Sequence, residues 1–358
     1  MFPAANDLPG RKGNSAVAYT CPVPAGAELT LEFRKTADGS EPGAIDPGHK
    51  GPCAVYLKRV DDMYAARNAA GRGWFKIWSE GHDDGAGKWC TEKLIAAGGL
   101  LTVRLPSGLP AGSYLVRAEV VALHDALQGD VQYFVNCAQI FVTDGPGGAG
   151  LSIPEGYEAT IPGYVDGSEP GLTFNIYSPK FPYPIPGPPV YFPSGTPSGH
   201  PEEQTAGAVP DDCLLTNGNW CGIELAPYHT QAGCWDAARA CDEQGRACYA
   251  SAPATGDRNC GVWNDKCVGV AEACEAHDFE GPPGAGTKLK SLGTAPPGQV
   301  PKPYDVPAFY SSGDGSKVDA KSSLESVNVV EESANSGTGC RSSRVRRLRR
   351  RRVSRVWE

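Results

Sequence analysis

Six cysteines, at positions 234, 241, 248, 260, 267 and 274, fall into two trios with a constant step of seven residues. Seven residues is close to two turns of an α-helix, so each trio marks one face of one helix. Ser251-Ala252-Pro253-Ala254-Thr255-Gly256-Asp257 lies between the trios and reads as a turn. The pairs Cys234–Cys274, Cys241–Cys267 and Cys248–Cys260 nest symmetrically about that turn. Among the pairings that six cysteines permit, the nested one matches an antiparallel helical hairpin with three disulfide rungs. Cys213–Cys221 closes a separate small loop ahead of it. A thiolate metal cluster is the rival, but a six-residue gap does not give the short Cys-x-x-Cys knuckle of zinc sites. About sixty residues cannot bury a large core, and disulfides compensate, so the unit from 213 to 280 reads as a stability or docking module.

The N-terminal half has a different period. Ala16–Thr20, Leu29–Phe33, Val55–Val60, Leu100–Leu105, Tyr114–Leu123 and Val131–Val142 alternate or run apolar between Gly and Pro clusters. Short strands with turn signals between them predict an antiparallel β-sandwich. Trp74, Phe75 and Trp78 are spaced like core residues. Residues 145–195 are rich in Gly and Pro without helical period, and predict a long ordered wrap over the sandwich. A polar linker is expected at 196–212, and a disordered tail at 281–358.

The net charge of −8 hides an asymmetry, because residues 341–358 hold nine arginines and one glutamate. The acidic body speaks against nucleic-acid binding by the folded part. The basic tail reads as a solvated segment or processed propeptide, although it could bind an anionic polymer. Thirteen cysteines indicate an oxidising compartment. No apolar run reaches eighteen residues, so no membrane span is expected.

Gly48-His49-Lys50-Gly51-Pro52 puts an imidazole on a turn before an apolar strand. His124 closes the run Tyr114–Leu123, and Gln132-Tyr133-Phe134 opens another strand with Gln132 and Phe134 on one face. Histidine and glutamine gathered at strand ends suggest an exposed, nitrogen-rich metal site. His82, His200, His229 and His277 read as surface or packing residues.

These segments, with Gly73-Trp74-Phe75-Lys76-Ile77-Trp78, Lys88-Trp89-Cys90-Thr91-Glu92-Lys93-Leu94-Ile95, Cys137-Ala138-Gln139-Ile140, Ile161-Pro162-Gly163-Tyr164, Phe174-Asn175-Ile176-Tyr177 and Pro186-Gly187-Pro188, occur in one order. In that order they resemble the fungal lytic polysaccharide monooxygenases of auxiliary activity family 9, once glycoside hydrolase family 61. The likeness covers roughly residues 8–195. It implies an immunoglobulin-like sandwich over 1–195 and a secreted, monomeric enzyme. It also implies one copper ion, an external electron donor and O2 or H2O2 as cosubstrate. The surface attacked would be cellulose or another β-1,4-glucan, oxidised at C1 and/or C4.

By the same resemblance His49 is a copper ligand, while His124 and Gln132 hydrogen-bond the oxygen species. Phe134 stands at the axial position, where the family carries tyrosine. Tyr164, Tyr183 and Tyr191 would contact sugar rings, and Cys21–Cys137 would bridge two strands. Cys53–Cys90 is then the remaining pair, and Cys340 is left over. The family's copper is also held by an N-terminal histidine, and no histidine precedes His49. The sequence therefore reads as N-terminally truncated, with the first strands missing and little activity as written. Two rivals stand beside this reading. A non-catalytic secreted carbohydrate-binding or wall-associated protein would need Tyr183 or Tyr191 exposed without a competent copper site. A carboxylate glycosidase would need paired acids on facing strands.

Overall fold

The computed structural model describes residues 16–35, 41–146, 150–196, 201–252 and 257–292. The sandwich contains β1 (Cys21–Val23), β2 (Glu28–Glu32), β3 (Cys53–Val60), β4 (Gly71–Glu80), β5 (His82–Asp83) and β6 (Lys88–Trp89). After the short α1 (Cys90–Ala96) come β7 (Leu100–Arg104), β8 (Gly112–Ala122), β9 (Gln132–Val142) and β10 (Glu158–Ile161). The main sheet runs in the order β1-β9-β8-β3-β4-β10, and β2 pairs with β7 as a second sheet.

Alternation sorts the side chains between two faces. Val55 and Leu57 of β3, Val116, Ala118 and Val120 of β8, and Ile140 and Val142 of β9 meet Leu31 of β2 and Leu101 and Val103 of β7 in one core. Tyr56, Trp74 and Leu115 point the other way and pack with Ala159, Ile161 and Tyr164. From the segment 150–196, Ala159, Ile161 and Tyr164 cover that outer face, while Leu151, Ile153, Tyr157 and Tyr191 pack on the inner core. The protein is therefore mainly β, an immunoglobulin-like sandwich with a Gly/Pro-rich wrap.

Two strand expectations need correction. The first strand of the sheet is Cys21–Val23 rather than residues 16–20, and it runs parallel to β9. That pairing also overturns Cys21–Cys137. Cys21 lies across from Ile140, so Cys137 is three residues, or ~10 Å, further along the strand. An odd offset also turns it to the opposite face: Cys21 packs on the inner core and Cys137 on the outer one. A disulfide tolerates neither the distance nor the opposed directions. Cys137 carries a free thiol, and Cys21 is disulfide-bonded elsewhere. The Cys53–Cys90 bond ties β3 to α1.

A second unit begins with the hairpin β11 (Cys213–Asn217) and β12 (Trp220–Ile223), where the sequence alone predicts only a disulfide loop. The Cys213–Cys221 bond closes it. Helices α2 (Gln231–Ser251) and α3 (Arg258–Glu275) follow, joined by Cys234–Cys274, Cys241–Cys267 and Cys248–Cys260 with Cα separations of 5.7, 5.4 and 5.6 Å. The Thr230 hydroxyl caps α2 by accepting from the Gly233 amide at 3.1 Å. Cys234, Ala237, Cys241, Gly245 and Cys248 form its buried stripe, facing Cys260, Trp263, Cys267, Val270 and Cys274. Gly222 of β12 lies flat on Trp263, where a Cβ would come within 2.4 Å of the indole. Residues 281–292, expected in the tail, pack here: Leu289 donates its amide to the Leu214 carbonyl at 2.9 Å, and Leu292 to the Asn259 side chain at 2.8 Å. The arginine-rich segment and Cys340 lie outside the described residues.

Candidate active site

In the register of the main sheet, Cys53 opposes both Glu80 and Val120, and Ala122 opposes Gln132. The start of β3, the ends of β4 and β8 and the start of β9 thus share one edge. His49, His82, His124 and Gln132 all sit there. The Asp46 carbonyl and carboxylate hold the turn by accepting from the His49 and Gly48 amides, both at 2.9 Å. The strand that follows is strapped to β8: Leu123 donates to the Lys50 carbonyl and Val121 to the Pro52 carbonyl, each at 2.9 Å. Gly51 permits this approach, since a Cβ there would stand 2.0 Å from the Val121 carbonyl oxygen.

The strap brings His49 and His124 into a face-to-face stack, with ring centroids 4.5 Å apart and planes 17° apart. Phe134 stacks on His49 as well, at 5.4 Å. Gln132 lies 3.2 Å from Nε2 of His124, and a carboxylate oxygen of Asp125 lies 3.2 Å from the same nitrogen. A carboxylate only accepts, so a proton on Nε2 suits Asp125 and turns the amide oxygen of Gln132 toward the ring. Nδ1 of His124 is then an acceptor, buried and without a hydrogen-bond partner among the described residues. Tyr133 turns away into a separate cluster with Val121, Leu123 and Trp89.

Of the expected site residues, His49, His124, Gln132 and Phe134 are therefore together, but the site differs from expectation in its exposure. His49 is only 7% exposed, not open to solvent, because His124 and Phe134 cover it. The near-parallel stack also bears on metal binding. Imidazole lone pairs lie in the ring planes, so stacked rings aim them into separate planes and cannot share one ion. His49 fits as a single nitrogen ligand, and His124 fits beside it rather than as a second one. Among the described residues no group of three His, Cys, Asp or Glu side chains could hold a metal.

The three tyrosines expected to contact sugar are not available for it. Tyr183 and Tyr191 are buried and donate to the carbonyls of Gly171 at 2.9 Å and Ser152 at 3.0 Å. Tyr164 donates to the Glu119 carboxylate at 2.8 and 3.0 Å, and burial pushes its phenol well above the usual range. Arg117 pairs with the same carboxylate, at 3.2 Å. Lys76, also buried, donates to the Pro186 carbonyl at 2.8 Å, and desolvation brings its pKa down to about 8 against an opposing pull from Glu119. These groups pin the wrap to the sheet.

Sequence reasoning missed Tyr177. It is 73% exposed and donates its hydroxyl to the His124 carbonyl at 3.2 Å. The signal was present as Asn175-Ile176-Tyr177, because the Asn175 side chain accepts from the Tyr177 and Ser178 amides and turns the chain outward. Leu127 is another exposed apolar residue three positions beyond His124.

Comparison with known proteins now decides the family. The profile of "Auxiliary Activity family 9 (formerly GH61)" matches residues 4–183. Lytic polysaccharide monooxygenase C of Aspergillus tamarii is 47% identical over 292 residues, 78% of this chain and 77% of that protein. The chain belongs to auxiliary activity family 9. Family 9 proteins are copper-dependent lytic polysaccharide monooxygenases, oxidoreductases that cleave polysaccharides. Another member, monooxygenase A of Emericella nidulans, is 42% identical over 302 residues, 81% of this chain but 52% of its own length. The crystal structure of a cellulose-active polysaccharide monooxygenase from M. thermophila aligns over 53% of this chain and 82% of that one, at 32% identity and a TM-score of 0.41. No helix among the described residues is long and apolar enough to cross a membrane.

Proposed function

We propose that the sheet end carrying His49, His124, Gln132 and Tyr177 is a polysaccharide-oxidising site, directed at cellulose or a related β-1,4-glucan and cleaving at C1 and/or C4. The carrying observation is the stacked His49–His124 pair, with the hydroxyl of the exposed Tyr177 bonded to the His124 carbonyl. Copper, when bound, supplies the redox chemistry, with electrons from an external donor and O2 or H2O2 as cosubstrate. His49 offers one nitrogen to it. His124, held by Gln132 and Asp125, keeps its proton on Nε2 and offers hydrogen bonding next to that nitrogen. Phe134 walls the His49 ring and can neither ligate nor donate, so it keeps that side apolar. Tyr177 offers a flat face to a sugar ring. The protein acts outside the cell as a monomer on this reading.

A second reading, a secreted carbohydrate-binding protein without catalysis, draws on there being no group of three His, Cys, Asp or Glu side chains fit to hold a metal among the described residues. Copper titration separates the two. On the oxidative reading, wild type binds Cu(II) with nitrogen hyperfine structure in its paramagnetic resonance spectrum, and His49→Ala binds markedly more weakly. Equal binding by both proteins defeats the ligand assignment and leaves the second reading.

A further inference from the structure

The two helices of the disulfide-stapled hairpin differ in how their outer faces treat charge. On α2 the exposed carboxylates are met from their own helix: Asp236 pairs with Arg239, and Asp242 with Arg246 at 3.8 Å. On α3, Asp265, Val268, Glu272 and Glu275 recur at helical spacing and line one exposed face. It lies opposite the buried Trp263, Cys267, Val270 and Cys274. None of these three carboxylates makes an ion pair among the described residues. Val268 is 46% exposed in their midst. Gly261, two turns before it, has nothing within 4 Å of where a Cβ would stand. The face thus surrounds an uncovered apolar centre with unanswered negative charge.

We infer that this face of α3 is the docking surface for the chain's own arginine-rich segment, residues 341–358. The inference goes beyond the oxidative site and does not depend on it. Charge complementarity carries it. The segment holds nine arginines and one glutamate, interleaved with Val345, Leu348, Val353, Val356 and Trp357. It therefore repeats the composition of the face with the sign reversed. Spacing agrees: Asp265 and Glu272 are two turns, or ~10 Å, apart along α3. An extended chain covers that distance in three residues, the interval between Arg344, Arg347 and Arg350. The chain also leaves from the right place. Leu292 donates its amide to the Asn259 side chain at 2.8 Å, in the first turn of α3. Residues 293–340 then intervene, and their extended reach is several times the length of the helix. The segment thus meets α3 at an effective concentration that a separate basic protein lacks.

The test follows trypsin cleavage within 341–358 of the full chain at low salt, read by mass spectrometry. Wild type is compared with an α3 variant (Asp265→Asn, Glu272→Gln, Glu275→Gln), with Val268→Ser, and with a charge-matched α2 control (Asp236→Asn, Asp242→Asn, Glu243→Gln). All these side chains are exposed, so thermal unfolding should match wild type throughout. The α3 variant should be cleaved about tenfold faster than wild type, as for the loss of three exposed ion pairs. Val268→Ser should be cleaved about threefold faster, as for one partly covered apolar side chain. About 0.5 M salt should remove most of the difference between wild type and the α3 variant. A synthetic peptide of residues 341–358 sets the unprotected rate. If wild type is cleaved at the peptide's rate, or if the α2 control speeds cleavage as much as the α3 variant, docking on α3 is refuted. Protection that grows with protein concentration would place the segment on another copy's helix and refute the intramolecular dock.

Discussion

Lys76 lies under the wrap with its ammonium on the Pro186 carbonyl, and its pKa falls from 10.5 to about 8. The sign follows from which state holds the proton. Between pH 8 and 10.5 the unfolded chain keeps this proton and the folded chain has lost it, so stability rises with pH across that window. Below pH 8 the folded protein carries the full cost of a buried charge, about 3 kcal/mol, because each tenfold loss of proton affinity is worth about 1.4 kcal/mol. Most of that is relieved by pH 10. Every other titrating group cancels when wild type is compared with Lys76→Met, which keeps the aliphatic stem. Urea unfolding of both proteins at pH 7, 8, 9 and 10, after alkylation of free thiols under denaturing conditions and refolding, gives the difference directly. Wild type should gain on the variant as pH rises, and should do so mainly above pH 8. A difference that stays flat from pH 7 to 10 would refute the buried, desolvated lysine. So would one that shrinks.

The free thiol gives a further test. Burial pushes Cys137 up to about 12, so it should resist alkylation in the native protein at pH 8 and react once unfolded; recovery of a Cys21–Cys137 linked peptide would contradict the parallel register of β1 and β9. Removing the innermost rung with Cys248→Ala and Cys260→Ala opens a twelve-residue separation and should cost about 3 kcal/mol in chemical unfolding. A loss under about 1 kcal/mol would mean the outer two rungs already confine the unfolded hairpin.

The readable parts of this chain are those set by local period. Heptad cysteines give away a helix pair because the spacing fixes the face, whatever the rest of the molecule does. Strands β3, β8 and β9 show themselves through alternation, and the Gln132/Phe134 face is separated from Tyr133 by the same rule. What the sequence withholds is set by long-range register. Nothing in Cys21 or Cys137 tells that β1 runs parallel to β9 with Ile140 as the partner residue. Tyr164, Tyr177, Tyr183 and Tyr191 are alike as residue types in one Gly/Pro-rich segment. Only the carbonyls and carboxylate waiting beneath three of them decide which one faces solvent. The cover over His49 likewise depends on two rings from other strands.

The strap at Gly51 has a mechanical outcome. The two imidazoles hang from backbones joined by amide-to-carbonyl links on either side of that glycine. Parting the two backbones requires breaking those links first, so the main chain keeps the roots of both rings side by side. Side-chain substitutions nearby can change what the pair meets, but the spacing of the two backbones is set by the main chain.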